Sequence, residues 1–323
     1  MSEVTLQINL SGGDINYAAL TVPALVRHHQ DIKNRLLVVD CCRPQKTKIV
    51  DPDTRYPKEK FEQRVKQIVS ISEQLLNANV VTQVYYLWPD DPIINKLSKK
   101  YLRGFYNTTH SAGGTGNMSY WVGFELPETK YVLHYDGDIL LYQKPGYSWV
   151  NEAVQLLEQQ HEAVIAVPRL CPPVIGSDQR TTDIPSLHEG RPVKTFSDHW
   201  ENDWFSTRHF LLDKEKLKNY LPLVRGKVLF ELMLRKYGKR AFPIDPEILM
   251  FRSMAPRHAK RIILKNEDAW VTHPVDKSDS FIKALPDIMS LVKTGIAPAD
   301  QHGYEDMKLQ SWLELIEHRV TEK

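Results

Sequence analysis

Four apolar runs of strand length, each followed by a helical pattern, constrain this chain more than any other feature. "VTLQINL" (4–10) reads as a first strand. The segment after it, "INYAALTVPALVRHH", carries Tyr17, Leu20, Ala24 and Leu25 at helical spacing despite Pro23. "RLLVVDCC" is a continuous apolar run, suited to a parallel strand covered on both faces. Phe61, Val65, Ile68, Ser72 and Leu75 then mark one face of a helix. "VVTQVYYLW" is β-branched and aromatic, hence a third strand. "DPIINKLSKKYLRGF" opens on Asp-Pro, which suits a helix start. "GNMSYWVGFEL" reads as a further helix and "KYVLHYD" as strand four. This βαβα order predicts an α/β fold: one mostly parallel sheet flanked by helices. Ligands of such sheets bind at the carboxyl ends of the strands. The unusual polar residues fall there: "SGGD" after strand one, Asp40 after strand two, "DGD" after strand four.

The pattern continues with helix "SWVNEAVQLLEQQ" and strand "AVIAVPRL". From Cys171 to about Asn202 periodicity fades, and a loop of that length reads as functional or mobile. "WFSTRHFLLD" is expected as a strand, "KEKLKNY" and "GKVLFELMLRKYG" as helices, "EILMFRS" and "RIILKN" as strands. Two helical patterns fill 280–323. The expected organisation is one domain over 1–279, with a nucleotide-binding part to about 142, an acceptor part over 143–279, and a C-terminal helical extension.

Composition excludes several classes. The 42 basic and 40 acidic residues balance to +2, which gives no electrostatic reason to expect a nucleic-acid binder. No apolar run approaches the roughly 20 residues of a membrane helix. Three cysteines, two of them adjacent, make neither a disulfide framework nor a zinc knuckle. The expectation is a soluble, cytoplasmic protein, with a peripheral membrane role left open. The tail helices are open to homo-oligomer formation, membrane contact or simple packing.

"YVLHYDGDILLY" concentrates the chemistry. In an extended chain Asp136 and Asp138 point the same way, about 6.6 Å apart at roughly 3.3 Å per residue. Carboxylates that close raise each other's pKa unless a cation sits near. A divalent ion with oxygen ligands would relieve the repulsion, and Mg²⁺ or Mn²⁺ keeps positions open for substrate phosphates. Gly137 would let the backbone turn so that both acids converge. The bland reading is an Asp-Gly turn with solvated acids. Ser11, Gly12 and Gly13 form a short loop whose N–H groups could approach a nucleotide, or simply a tight turn. Asp40 is placed to accept from a ribose or to cap the next segment. Asn117 follows three glycines at or near a helix start, either in a flexible approach to the nucleotide or as linker and N-cap. Glu231 stands alone among apolar residues, either as a general base or as an i,i+4 partner of Arg235. His273, before Pro274, could be a third metal ligand or a structural histidine. Trp200, Asp203 and Trp204 suit a sugar acceptor, through ring stacking and hydroxyl contacts, or a loop anchored in the core.

In their order along the chain these parts resemble a nucleotide-sugar-dependent glycosyltransferase of the GT-A fold, family 2-like, over about residues 4–275. The resemblance is most specific at the DxD segment. It implies that Asp136 and Asp138 contact Mn²⁺ or Mg²⁺ and the donor diphosphate. It implies that Asp40 recognises the base or ribose, and that His273 is a further metal or diphosphate ligand. It puts Glu231 at the position of an inverting general base, although Leu232 replaces the Asp that usually follows. "SGGD" also departs from the family's usual Pro-containing turn. The implied reaction moves a sugar from a nucleotide-diphosphate sugar to a hydroxyl acceptor, whether saccharide, lipid-linked or small molecule. A nucleotidyltransferase is the first alternative, but "SGGDINY" lacks the basic residue such a loop needs. A non-catalytic sugar-nucleotide binder is the second.

Overall fold

The apolar runs pair as their patterning requires. The structure, a computed structural model, describes residues 2–174, 193–238 and 245–321. In chain order the first half comprises β1 (Val4–Ser11), α1 (Ala18–His28), β2 (Asn34–Asp40), α2 (Pro52–Arg55), α3 (Lys58–Asn77), β3 (Gln83–Leu87), α4 (Pro92–Leu102), α5 (Met118–Glu125) and β4 (Tyr131–Asp136). Next come β5 (Leu140–Gln143), α6 (Trp149–Gln159), β6 (Ala163–Val167), β7 (Lys194–Thr195), β8 (His199–Asn202), β9 (His209–Asp213), α7 (Lys214–Lys218), α8 (Gly226–Tyr237) and α9 (Pro246–Met254). The last elements are β10 (Lys260–Leu264), β11 (Ala269–Thr272), α10 (Asp279–Lys293) and α11 (Leu309–Thr321).

Among the described residues, nine strands form one sheet in the order β3-β2-β1-β4-β9-β6-β10-β8-β7. β1 to β4 are mutually parallel, as are β6 and β10. β9 lies antiparallel between β4 and β6, and β8 antiparallel beside β10. The sheet is therefore mixed but mostly parallel, as expected. β5 and β11 leave it and pair with each other as a separate antiparallel ribbon.

Alternation along β1 sorts its faces. Val4, Leu6, Ile8 and Leu10 pack with α1, α3 and α6 on one side. On the other side α4, α5, α8 and α9 cover Leu36, Val38, Val132 and Phe210. α10 and α11 build a smaller core on the ribbon, joining Phe281, Leu285, Ile288 and Trp312 to Tyr17, Leu140 and Trp270. The C-terminal helices are thus packed onto the β5–β11 ribbon, whose first strand follows directly on the DGD segment.

Three expectations change. "EILMFRS" is helix α9, not a strand. Pro246 sits in its first turn after Asp245, and Leu249, Met250, Ser253 and Met254 are buried at helical spacing. The strand expected across "WFSTRHFLLD" begins only at His209. The loop expected from Cys171 to Asn202 contains β7 and β8 at the sheet edge; its residues 175–192 lie outside the described residues.

Candidate functional site

The DGD segment is where the chain leaves the sheet. β4 ends at Asp136, a turn closed by the Ile139 amide donating to the Asp136 carbonyl (3.2 Å) follows, and β5 begins at Leu140. Leu140 pairs with Thr272 of β11, so the residues just before β5 face those just after β11. That register brings His273 Nε2 to 3.5 Å from Asp138 Oδ2, and Lys277 Nζ donates to the same oxygen. Asp138 is 6% exposed. Burial works to raise its pKa, but His273 and Lys277 outweigh it and hold the carboxyl at about 2. Burial likewise opposes charge on His273, and its bonds to Asp138 and Asp306 prevail, lifting it to about 9. The charges that meet Asp138 in this structure are therefore an imidazolium and an ammonium. The second Asp138 oxygen, Oδ1, is buried without a hydrogen-bond partner.

Gly137 sits in the expected turn, but not for its conformational freedom. It is not among the glycines at positive φ. Its amide donates to the Asn9 carbonyl (3.1 Å) and its carbonyl accepts from Thr21 Oγ1 (2.5 Å). A Cβ there would run into Leu10 Cδ2 and stand 3.2 Å from the Asn9 carbonyl oxygen. Close approach of β1 is what favours glycine here.

Asp136 caps a buried polar ladder on the second face of β1 and β4. Gln7 donates to Asn9 Oδ1 (2.8 Å), His134 Nδ1 meets Gln7 Oε1 (2.5 Å), and His134 Nε2 lies 3.3 Å from Asp136 Oδ1. Tyr120, from α5, donates to both Asp136 oxygens at 3.0 and 3.1 Å. The carboxylate remains 26% exposed, so it is oriented from below while one side stays open.

Asp136, Gly137 and Asp138 share one open cleft of about 330 Å³ with Ser11, Gly12, Gly13 and Asp40. That size is at the low end for small-molecule sites. Asp40 accepts from the Cys42 amide (2.9 Å) and faces His110 Nε2 at 3.8 Å. Burial raises its pKa and lowers that of His110, while each opposes the shift of the other. The 11–14 loop is a self-tied turn: the Ser11 amide and hydroxyl donate to Asp14 (2.5 and 3.0 Å), and Gly13 N donates to Ser11 Oγ (3.2 Å). Burial pushes Asp14 up to about 6. The Gly13 amide is thus already engaged, contrary to a loop that offers its N–H groups freely.

Other expected residues lie elsewhere. Asn117 is buried before α5 and does not line the cleft; its Oδ1 lacks a hydrogen-bond partner. Glu231 does not line it either. Its carboxylate accepts from Arg252 at 2.6 Å and Arg235 at 2.9 Å, and those bonds hold its pKa down. A carboxylate fixed between two guanidiniums is a poor general base, so the i,i+4 reading describes it. Trp200, on β8, is buried and does not line the cleft; the Arg169 guanidinium lies 5.4 Å and the Lys265 ammonium 5.1 Å from its ring. Trp204 packs on Phe251 at 5.1 Å, and neither it nor Asp203 lines the cleft.

Several residues were not singled out from sequence. Asp14, Arg64, His110, Tyr120 and Lys277 all line the cleft. Behind it, Asp306 joins His273 (3.3 Å) to Arg208 (2.8 Å), and Arg208 lies 3.6 Å from Glu305. Burial raises Glu305 against the pull of Arg208. His209, buried at the start of β9 with neither ring nitrogen hydrogen-bonded, sits 4.0 Å from Glu305. For Lys277, Arg208 and His209 the sequence signal was the clustering of charge around "THPVDK" and "STRHF". Among the described residues, no group of three or more His, Cys, Asp or Glu side chains is arranged to hold a metal ion.

No protein-family model matches the chain, and no curated protein matches it. Solved structures give loose likenesses. The galactosyltransferase LgtC in complex with donor and acceptor sugar analogues has a TM-score of 0.37 at 7% identity, over 88% of this chain and 95% of that one. The mannosyltransferase Ktr4p from S. cerevisiae has a TM-score of 0.34 at 13% identity, over 84% and 70%. The same enzyme in complex with GDP has a TM-score of 0.31 at 13% identity, over 79% and 66%. At these scores the likenesses carry no argument, and the functional reading rests on the cleft.

Proposed function

We propose that this chain is a glycosyltransferase that binds a nucleotide-diphosphate sugar at the carboxyl ends of β1, β2 and β4 and passes the sugar to a hydroxyl acceptor. The observation that carries the reading is convergence: Asp40, Asp136, Asp138 and the 11–14 turn meet Arg64, His110 and Lys277 in one cleft. The guanidinium of Arg64 and the ammonium of Lys277 suit a diphosphate. Asp40, at the end of β2, suits a ribose or base edge. Tyr120 and His134 orient Asp136, while His273 and Lys277 fix Asp138.

Mn²⁺ or Mg²⁺ fits this donor set. Asp138 Oδ1 is a buried, unpartnered hard oxygen, and the partly open Asp136 carboxylate reaches the same cleft. Asp136 and Asp138 would hold the ion, with diphosphate oxygens completing its shell. When bound it would supply Lewis-acid stabilisation of the leaving diphosphate. His273 enters the reading as the residue that positions Asp138. Glu231 is not assigned as the base, and with it goes the inverting assignment that depended on it.

Calorimetry with nucleoside diphosphates and their sugars, with and without Mn²⁺, tests the reading. Binding of at least one donor, lost in Asp136→Asn and Asp138→Asn, is expected. Failure of every nucleotide to bind under either condition would sink it.

A further inference from the structure

α8 turns a stripe of large apolar side chains to solvent. Phe230, Met233, Leu234 and Tyr237 are 64%, 36%, 58% and 80% exposed. Their i, i+3, i+4, i+7 spacing puts all four within about 100° of the helix circumference. Val228 and Leu232 occupy the opposite face and are buried in the core, so the helix is apolar on two sides but packed on one. Single exposed apolar residues are ordinary on protein surfaces, whereas a contiguous stripe marks an interaction site.

The surroundings are basic. Arg225 and Lys227 stand at the start of the helix. Glu231, the one acid between 225 and 238, is bonded to both Arg235 and Arg252, which leaves that trio net positive. We propose that this face is a peripheral contact for an anionic lipid bilayer. Phe230, Leu234 and Tyr237 enter the boundary between headgroups and acyl chains, and the basic flank attracts the anionic headgroups. The charge favours lipid over a second copy of the chain. A two-fold contact through this patch would set the cationic flank of one protomer against the same flank of its partner. The inference does not depend on the catalytic reading.

The test is co-sedimentation of the full chain with vesicles of phosphatidylcholine alone or mixed with phosphatidylglycerol. Binding to the anionic vesicles that weakens with added salt is expected. It should fall about tenfold or more in Phe230→Ser/Leu234→Ser/Tyr237→Ser and also fall in Arg225→Glu/Lys227→Glu. Circular dichroism and Tm check that the variants fold; should the triple variant not fold, Tyr237→Ser alone takes its place. Equal binding to both vesicle types, equal binding by the stripe variant, or a dimer in sedimentation equilibrium that the stripe variant dissociates would each overturn the proposal.

Discussion

Asp138→Asn should cost more stability near pH 6 than near pH 9.5. His273 ordinarily titrates at 6.5 and is lifted to about 9 by Asp138 and Asp306 against the effect of burial. At about 1.4 kcal/mol per pH unit, that shift corresponds to about 3.5 kcal/mol of folding free energy. A raised histidine contributes fully below pH 6.5 and loses its contribution as pH rises through about 9. The lowered Asp138 contributes above 3.8 and loses its share only as pH falls toward 2, so it is constant across the window. The two shifts describe one contact and are not summed. Side-chain exposures of 7% for Asp138 and 14% for His273 leave little solvent screening. Asp306 retains part of the His273 shift in the variant, so about 2 kcal/mol of pH-dependent stability should disappear. Urea denaturation in EDTA, repeated across pH 6 to 9.5, reads this directly. Wild type should weaken steadily over the range while Asp138→Asn stays flatter. Parallel curves would show that Asp138 does not hold the His273 proton and would refute the reasoning.

Gly137→Ala should destabilise the fold by about 1–3 kcal/mol, because the new methyl must displace Leu10 and crowd the Asn9 carbonyl; a Tm equal to wild type would contradict the packing. Glu231→Gln should lower stability by no more than about 1 kcal/mol, as a partly exposed ion pair does, and should leave donor turnover unchanged. A large loss of kcat with donor affinity preserved would restore Glu231 as the base.

Periodicity made the sheet's parallel half legible, because continuous runs such as "RLLVVD" have no stable place except between two helix layers. It failed at "EILMFRS", where apolar residues too few to separate periods 2 and 3.6 hid a helix announced by Asp245-Pro246. The acids of the cleft were visible because Asp40, Asp136 and Asp138 interrupt apolar strand ends. Their partners were not. Lys277 and His273 reach Asp138 only through the pairing of β5 with β11, a contact between segments more than a hundred residues apart that no local pattern encodes. The Arg252 partner of Glu231 and the Arg169 neighbour of Trp200 were equally hidden, because an isolated carboxylate or indole looks the same in sequence whether it waits for a ligand or already holds an arginine.

The β5–β11 ribbon also sets an order of assembly. β1 to β4 can pair once the first 136 residues have emerged from the ribosome, since each strand meets a neighbour from that same segment. Asp138 cannot be neutralised until Lys277 arrives, nor His273 braced until Asp306 follows. During synthesis the nascent chain therefore carries an uncompensated carboxylate at the edge of an already formed half-sheet, and the cleft is among the last features to be completed.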